Sequence, residues 1–319
     1  MISRCGSIFP VDSARTGWQR VPMTNDASGA SPVAGPGTAV ETLRYSAFTR
    51  DPAGGNPAGI VLDASGLDAA QMLAVAAEVG YSETAFVTER DDAARRFRVR
   101  YFSPLAEVAF CGHATVALSV ALAERLGPGG IVLDTPAGEI PVAIGTGEDG
   151  AVLATLTSVP TRSRPASGAE LDATLAALGW AAGDLDPALP PHVAFAGNDH
   201  LILAAASRAR LADLAYDFDG LAAVMRQYGW TTVHLVWRES PRYFHARDPF
   251  PVGGVVEDPA TGAAAAAFGG YLGALGLVTA PARIAIRQGE DMGRPSDLLI
   301  DVDPELGRTR VTGGAVLIV

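Results

Sequence analysis

RYFSPLAEVAFCGHATVALSV, residues 100–120, is the stretch on which the fold turns. It ends an apolar strand, passes through a loop, and starts a helix of small apolar residues at Cys111-Gly112-His113. Arg-Tyr-Phe recurs at Arg242–Phe244, again ahead of a Gly-containing turn and a helix of small residues, DPATGAAAAAFGGYLGALG from Asp258 to Gly276. Outward from these copies the parallel continues. GGNPAGIVLD (Gly54–Asp63) has its counterpart in AGNDHLILAA (Ala196–Ala205), each placing Gly-Asn, a turn signal, before an apolar strand. SGLDAAQMLAVAAEVGYSETAFV (Ser65–Val87) has its counterpart in DFDGLAAVMRQYGWTTVHLV (Asp217–Val236), with Gly80-Tyr81 matching Gly229-Trp230. The offsets, about 140–150 residues, exceed solenoid periods and mark a duplicated domain.

Local signals sharpen this reading. Asp68 is placed as an N-cap with Gln71 at N3, a capping box, and Leu67 as a staple onto Met72. Met72, Leu73, Ala76 and Val79 form one apolar stripe that Gly80 closes in the C′ position. The helices that end each copy have almost no polar face, so each is expected to be buried and wrapped by short strands. The expected class is α+β, with two similar domains at 42–162 and 163–319. If the buried helices face one another, their free N–H groups form a cleft suited to a carboxylate ligand.

Composition bounds the function. At 319 residues, 48% hydrophobic and 18% charged, the chain is globular and long enough for two cores. A net charge of −11 argues against a nucleic-acid groove or an anionic membrane surface. Two cysteines, Cys5 and Cys111, build no disulfide framework, so a reducing, cytoplasmic location is expected. No apolar run reaches the roughly 18 residues of a membrane helix. Residues 1–41 end in SGASPVAGPGTAVE (Ser28–Glu41), read as disordered and excluded from the fold, with Met23 a candidate translation start.

Four side chains are candidates for chemistry. Glu83 alternates with Ala85 and Val87, so it is either a carboxylate among apolar neighbours, with a raised pKa, or an edge-strand acid facing water. The second copy has Thr232 there, so the fold does not require an acid. Cys111 gains thiolate character from a helix start or is a small buried hydrophobe. His113 is either a neutral hydrogen-bonding group or a cap. Asp258, placed opposite Cys111 in the repeat, reads as an N-cap ahead of Pro259 or as an acid/base group. A thiol and a carboxylate at matched helix starts would suit a two-base epimerase. His192, His200, His234 and His245 lack ligand spacing, so no metal site is expected. P-loop, dinucleotide and serine-hydrolase motifs are absent, which leaves chemistry without a cofactor.

The motifs GGNPAGIVL, YSETAFV, RYFSPLAEVAFCGHATVA, VVEDPATGAAAAAFGGYL and QGEDMGRPS (Gln288–Ser296) together resemble, in order from about Leu43 to the C-terminus, the phenazine-biosynthesis PhzF-like proteins of the diaminopimelate-epimerase-like fold. The resemblance implies two domains, each a mostly antiparallel barrel-like sheet around a central helix, with the active site between them. It implies a cofactor-independent isomerase, a homodimer, acting on a small carboxylate-bearing molecule. Glu83 would shuttle a proton between carbons, as the corresponding acid does on a cyclic dihydro-hydroxyanthranilate, while His113 and Asp258 bind and orient the substrate. The backbone around Gly112, Thr261 and Gly262 would hold its carboxylate, with Asn56 and Ala263 beside it. Ala263 stands where most relatives carry Ser, a lost donor worth about 1–2 kcal/mol. Cys111 stands where amino-acid epimerases have one of two cysteines. A two-base racemase using Cys111 and Asp258, and a non-catalytic binding protein, are therefore alternatives.

Overall fold

The computed structural model describes residues 40–319, so the N-terminal extension expected over 1–41, with Cys5 and Met23, lies outside the described residues except for its last two positions. The first half runs β1 (Leu43–Ala47), β2 (Asn56–Val61), α1 (Ala69–Val79), β3 (Thr84–Asp91), β4 (Arg96–Phe102), β5 (Glu107–Val108), α2 (Gly112–Leu126), β6 (Ile131–Thr135), β7 (Gly138–Thr146) and β8 (Val152–Thr157). The second begins with β9 (Arg162–Pro165), α3 (Gly168–Leu178), β10 (His192–Phe195), β11 (Asp199–Ala204), α4 (Arg208–Ala212) and α5 (Phe218–Tyr228). It ends with β12 (Trp230–Ser240), β13 (Tyr243–Pro249), β14 (Glu257–Asp258), α6 (Gly262–Ala274), β15 (Ala282–Gln288), β16 (Ser296–Asp303) and β17 (Arg308–Leu317).

Strand pairing closes a ring of eight in the first half: β1, β2, β3, β4, β6, β7, β8 and then β17, which returns to β1. In the second half eight strands run from β9 through β10, β11, β12, β13, β15 and β16 to β17. Its ends are tied by Thr161 N–H donating to Gly307 O at 2.9 Å and Ser158 N–H donating to Thr309 O at 2.9 Å. Strand β17 thus serves both barrels, and β9 straddles the division expected at 162/163. Helix α2, buried from His113 to Ala123, fills the first barrel, and α6 fills the second. Gly269 and Gly270 explain why α6 has so little bulk. A Cβ at either would lie 2.6 Å from Thr309 Oγ1 or 2.5 Å from Thr161 Cβ, at the seam between β17 and β9.

The sheets are mostly antiparallel, but four pairs are parallel: β2/β3, β4/β6, β11/β12 and β13/β15. Each is joined by a helical crossover, which a parallel pair needs. The capping box read at Asp68 and Gln71 is formed, and Gly80 closes α1 in the left-handed region.

Register corrects two details of the repeat. Gly59 pairs with Thr84 as Leu201 pairs with Val233, which keeps Glu83 opposite Thr232. In the loop before each central helix, however, Tyr101 pairs with Val108 as Asp248 pairs with Asp258. Asp258 therefore corresponds to Val108, and the helix starts match as Cys111 with Thr261 and Gly112 with Gly262. Arg100–Phe102 ends β4, whereas Arg242 precedes β13, so that tripeptide match is not a structural one. Identity of three residues carried less information than strand length.

Candidate active site

Glu83 stands one residue before β3, where the chain turns from α1 into the barrel wall. Ala85 and Val87, two and four positions on, are buried in the core against α2. The alternation therefore points the Glu83 side chain inward at the barrel mouth, 20% exposed. There its Oε2 lies 3.5 Å from His113 Nε2, in the first turn of α2. Ser82 Oγ lies 3.3 Å from the same nitrogen, and Cys111 Sγ lies 3.4 Å from His113 Nδ1. Cys111 is the N-cap residue of α2, yet its side chain makes no cap hydrogen bond.

The other wall comes from the second half. Thr261 Oγ1 donates to Asp258 Oδ2 at 2.6 Å, and Asn56 Nδ2 crosses from the start of β2 to donate to Asp258 Oδ1 at 2.8 Å and Ala260 O at 3.2 Å. Asp258 is thus not the cap of α6. Pro259 follows it outside the helix, and Thr261 is the N-cap residue. Gln288, fully buried at the end of β15, holds this loop from beneath. Its Nε2 donates to Asp258 O at 2.8 Å and to Thr261 Oγ1 at 2.9 Å, while its Oε1 accepts from Thr261 N–H at 3.1 Å. The loop Gly289–Pro295 then clasps the first half: Arg294 donates to Gly55 O at 2.8 Å and Gly54 O at 2.7 Å.

Burial sets the protonation states. It pushes the Asp258 carboxyl from 3.8 up to about 8, with the charges of Asp248 and Glu83 adding to it, against the donors Thr261 and Asn56. Asp258 therefore holds its proton at neutral pH. Burial and then the charge of Glu83 raise the Cys111 thiol well above its ordinary range, opposing the thiolate that a helix start favours. Burial also lowers the pKa of His113, against Glu83 and the Pro57 backbone. His113 is neutral, as expected, but through desolvation.

Helices α1, α3, α4 and α5 each have a side-chain cap, from Asp68, Ser167, Ser207 and Asp217. The two central helices have none. A Cβ built on Gly112 meets nothing within 4 Å, so the space over the start of α2 is open. Uncapped first-turn amides beside an open volume are free to donate to an anion. Gly262 and Ala263 are half-buried at the equivalent start of α6.

Of the sequence candidates, Glu83, Cys111 and His113 form one cluster, and Asp258, Thr261 and Asn56 another. Both carboxyl groups, Glu83 and Asp258, lie near enough to oppose ionisation of Cys111. The four other histidines serve elsewhere. His200 and His234 sit in a buried network with Thr232 and Asp248, His192 bonds Ser163, and His245 bonds Glu239. Three contributors were not singled out from sequence: Ser82, Gln288 and Asp248. The first two lie in YSETAFV and QGEDMGRPS, so membership of those motifs was the available signal. Asp248 had none. A metal-ligand set, not expected from sequence spacing, is also assembled: Glu83, Cys111 and His113 each offer one donor atom within 4.8 Å of the others. The fold joins residues 28 or more apart, which a search for local ligand spacing misses.

Comparison with known proteins fits this geometry. A family model described as phenazine biosynthesis-like protein matches residues 45–319. The uncharacterized isomerase YddE of Escherichia coli O157:H7 is 32% identical over 287 residues, 87% of this chain and 96% of its own. The trans-2,3-dihydro-3-hydroxyanthranilate isomerase of Pseudomonas chlororaphis is 30% identical over 275 residues, 85% of this chain and 94% of that protein. The crystal structure of a PhzF-family phenazine biosynthesis protein from Bacillus anthracis superposes with a TM-score of 0.77 at 27% identity, covering 88% of this chain and 98% of that one.

Proposed function

The chain belongs to the phenazine biosynthesis-like protein family, and from that premise we propose that it is an isomerase that moves a proton between two atoms of a small carboxylate-bearing substrate, with Glu83 as the shuttle. The observation that carries the reading is the placement of Glu83. Its carboxyl lies 3.5 Å from a neutral imidazole at the open start of α2, facing a wall whose carboxyl, Asp258, retains its proton. The first-turn amides of α2 and α6 hold the substrate carboxylate. Glu83 accepts a proton from one carbon and returns it to another, so no net proton enters or leaves. Neutral His113 and protonated Asp258 hydrogen-bond the polar groups of the ring or chain and fix which carbons face Glu83.

The two-base alternative loses its symmetry argument. The residue matched to Cys111 is Thr261, which is no base, and the thiol itself is held in its protonated form.

The test uses D2O and trans-2,3-dihydro-3-hydroxyanthranilate, with a panel of small cyclic and amino-acid carboxylates, as substrates. Deuterium appears in product with the native enzyme, because the half-buried Glu83 carboxyl exchanges its proton with solvent before delivering one to the second carbon. Glu83→Gln, which keeps shape and hydrogen bonding, lowers the incorporation rate by roughly 10²–10⁴-fold, the usual contribution of a positioned acid/base. Incorporation at the native rate in that variant refutes the assignment.

A further inference from the structure

We propose that Glu83, Cys111 and His113 form a binding site for Zn²⁺, and that its occupancy blocks the proton shuttle. The second clause rests on the role given to Glu83 above, but the first does not. Measured from His113 Nε2, Ser82 Oγ lies at 3.3 Å, Glu83 Oε2 at 3.5 Å and Cys111 Sγ at 3.8 Å. With metal bonds of about 2.3 Å to sulfur and about 2.0–2.2 Å to nitrogen and oxygen, the ligands of tetrahedral zinc lie about 3.3–3.6 Å apart. The two oxygens thus stand at tetrahedral-edge distances from Nε2, while Cys111 Sγ, 3.4 Å from Nδ1, lies against the ring and joins the set by a turn of its side chain. Two of the three ligand residues stand at the start of a buried helix and one in the turn between α1 and β3.

The donor set selects the ion. One thiolate, one imidazole and one carboxylate suit Zn²⁺ over the hard cations Mg²⁺ and Ca²⁺. Coordination releases the Cys111 proton to solvent, and the cation offsets the burial and the neighbouring charge that otherwise disfavour a thiolate there. Ser82 Oγ, a water or a substrate oxygen completes the fourth position. Since His113 is largely buried and Glu83 is only half-buried at the barrel mouth, the ion enters from the Glu83 side. It then engages the carboxylate that the reaction requires free, which makes Zn²⁺ a reversible inhibitor that a chelator removes.

The experiment titrates the full, chelator-stripped chain with Zn²⁺ by calorimetry and with Co²⁺ by absorbance. One ion per chain is expected with a Kd of about 1 μM or tighter. The Co²⁺ form shows a near-ultraviolet thiolate-to-cobalt band and visible bands of tetrahedral intensity. Cys111→Ala abolishes the thiolate band and weakens Zn²⁺ by at least about a hundredfold, since even residues that only support a ligand contribute 10- to 100-fold. Glu83→Gln weakens Zn²⁺ yet keeps the band, which carries the test should Cys111→Ala fail to fold. Cys5→Ala binds as the native chain does. Stoichiometric binding that survives Cys111→Ala, a thiolate band lost instead in Cys5→Ala, or no binding at about 100 μM overturns the site. No substrate enters these measurements, so a failed deuterium experiment leaves them intact. Likewise, a failed titration leaves the shuttle assignment standing.

Discussion

At the level of single residues, the carboxyl of Asp258 is held far from its ordinary state. Its folded pKa of about 8 stands above its ordinary 3.8. The folded chain therefore keeps a proton that the unfolded chain gives up. The stability contributed by this group is fully present below the unfolded value and is lost as pH rises through the folded one. Asp258→Asn removes the titration. The native chain should lose stability relative to that variant between pH 3.8 and about 8, read from urea midpoints across the range. A difference that is flat with pH would show that the carboxyl is already ionised in the fold. Asp248 helps set this state. It is fully buried, bonded to Thr232 and His234, and directly across the strand pair from Asp258.

At the level of elements, the two central helices differ from the four outer ones in what satisfies their first turns. The outer helices use Asp or Ser side chains, while α2 and α6 have no side-chain cap. The start of α6 is nonetheless positioned, because Gln288 takes the Thr261 N–H and the Asp258 carbonyl. Gln288→Leu fills the same volume but leaves a buried N–H without its acceptor. It should cost about 1–3 kcal/mol of unfolding free energy. The same change should weaken binding of carboxylate ligands, measured by calorimetry, because the amides of α6 lose their fixed direction. Native affinity in a destabilised variant would confine Gln288 to a structural role. The next residue, Gly289, has φ +73 and a Cβ position 2.4 Å from Arg294 O, so the turn that brings Arg294 across to Gly54 and Gly55 admits no side chain.

For the whole molecule, the shared strand is the main coupling. The first part of β17 pairs with β16, its middle with β8 and its end with β1, at Tyr45–Leu317, Ser46–Val316 and Ala47–Ala315. Removing the residues after Gly314 opens the first ring between β1 and β17 while leaving the β16 pairing in place. Hydrogen exchange should then rise at β1 amides and spare β15 and β16. Protection unchanged at β1 would mean that the β1/β2 pair and α2 suffice to hold it. Because the groups given roles in the proposed reaction come from both halves, with Asn56 bonded to Asp258 between them, the same truncation should depress proton transfer even with Glu83 in place.

The sequence by itself determined the duplication, the two buried helices, the cap at Asp68 and the identity of the candidate acid. The first three follow from turn chemistry and apolar patterning, which depend on residues near one another along the chain, and the candidate acid from the resemblance carried by YSETAFV. Only the tertiary structure decided the rest. It showed that Thr261, not Asp258, lies opposite Cys111, because strand pairing, which is the same in both copies, matches Asp258 to Val108 three residues earlier. It brought Gln288 and Asp248 beneath the loop before α6, and closed the ring with a strand from the far end. It also fixed the protonation of Asp258 and His113, since desolvation depends on what packs around a group, and those neighbours are separated from it by tens to hundreds of residues.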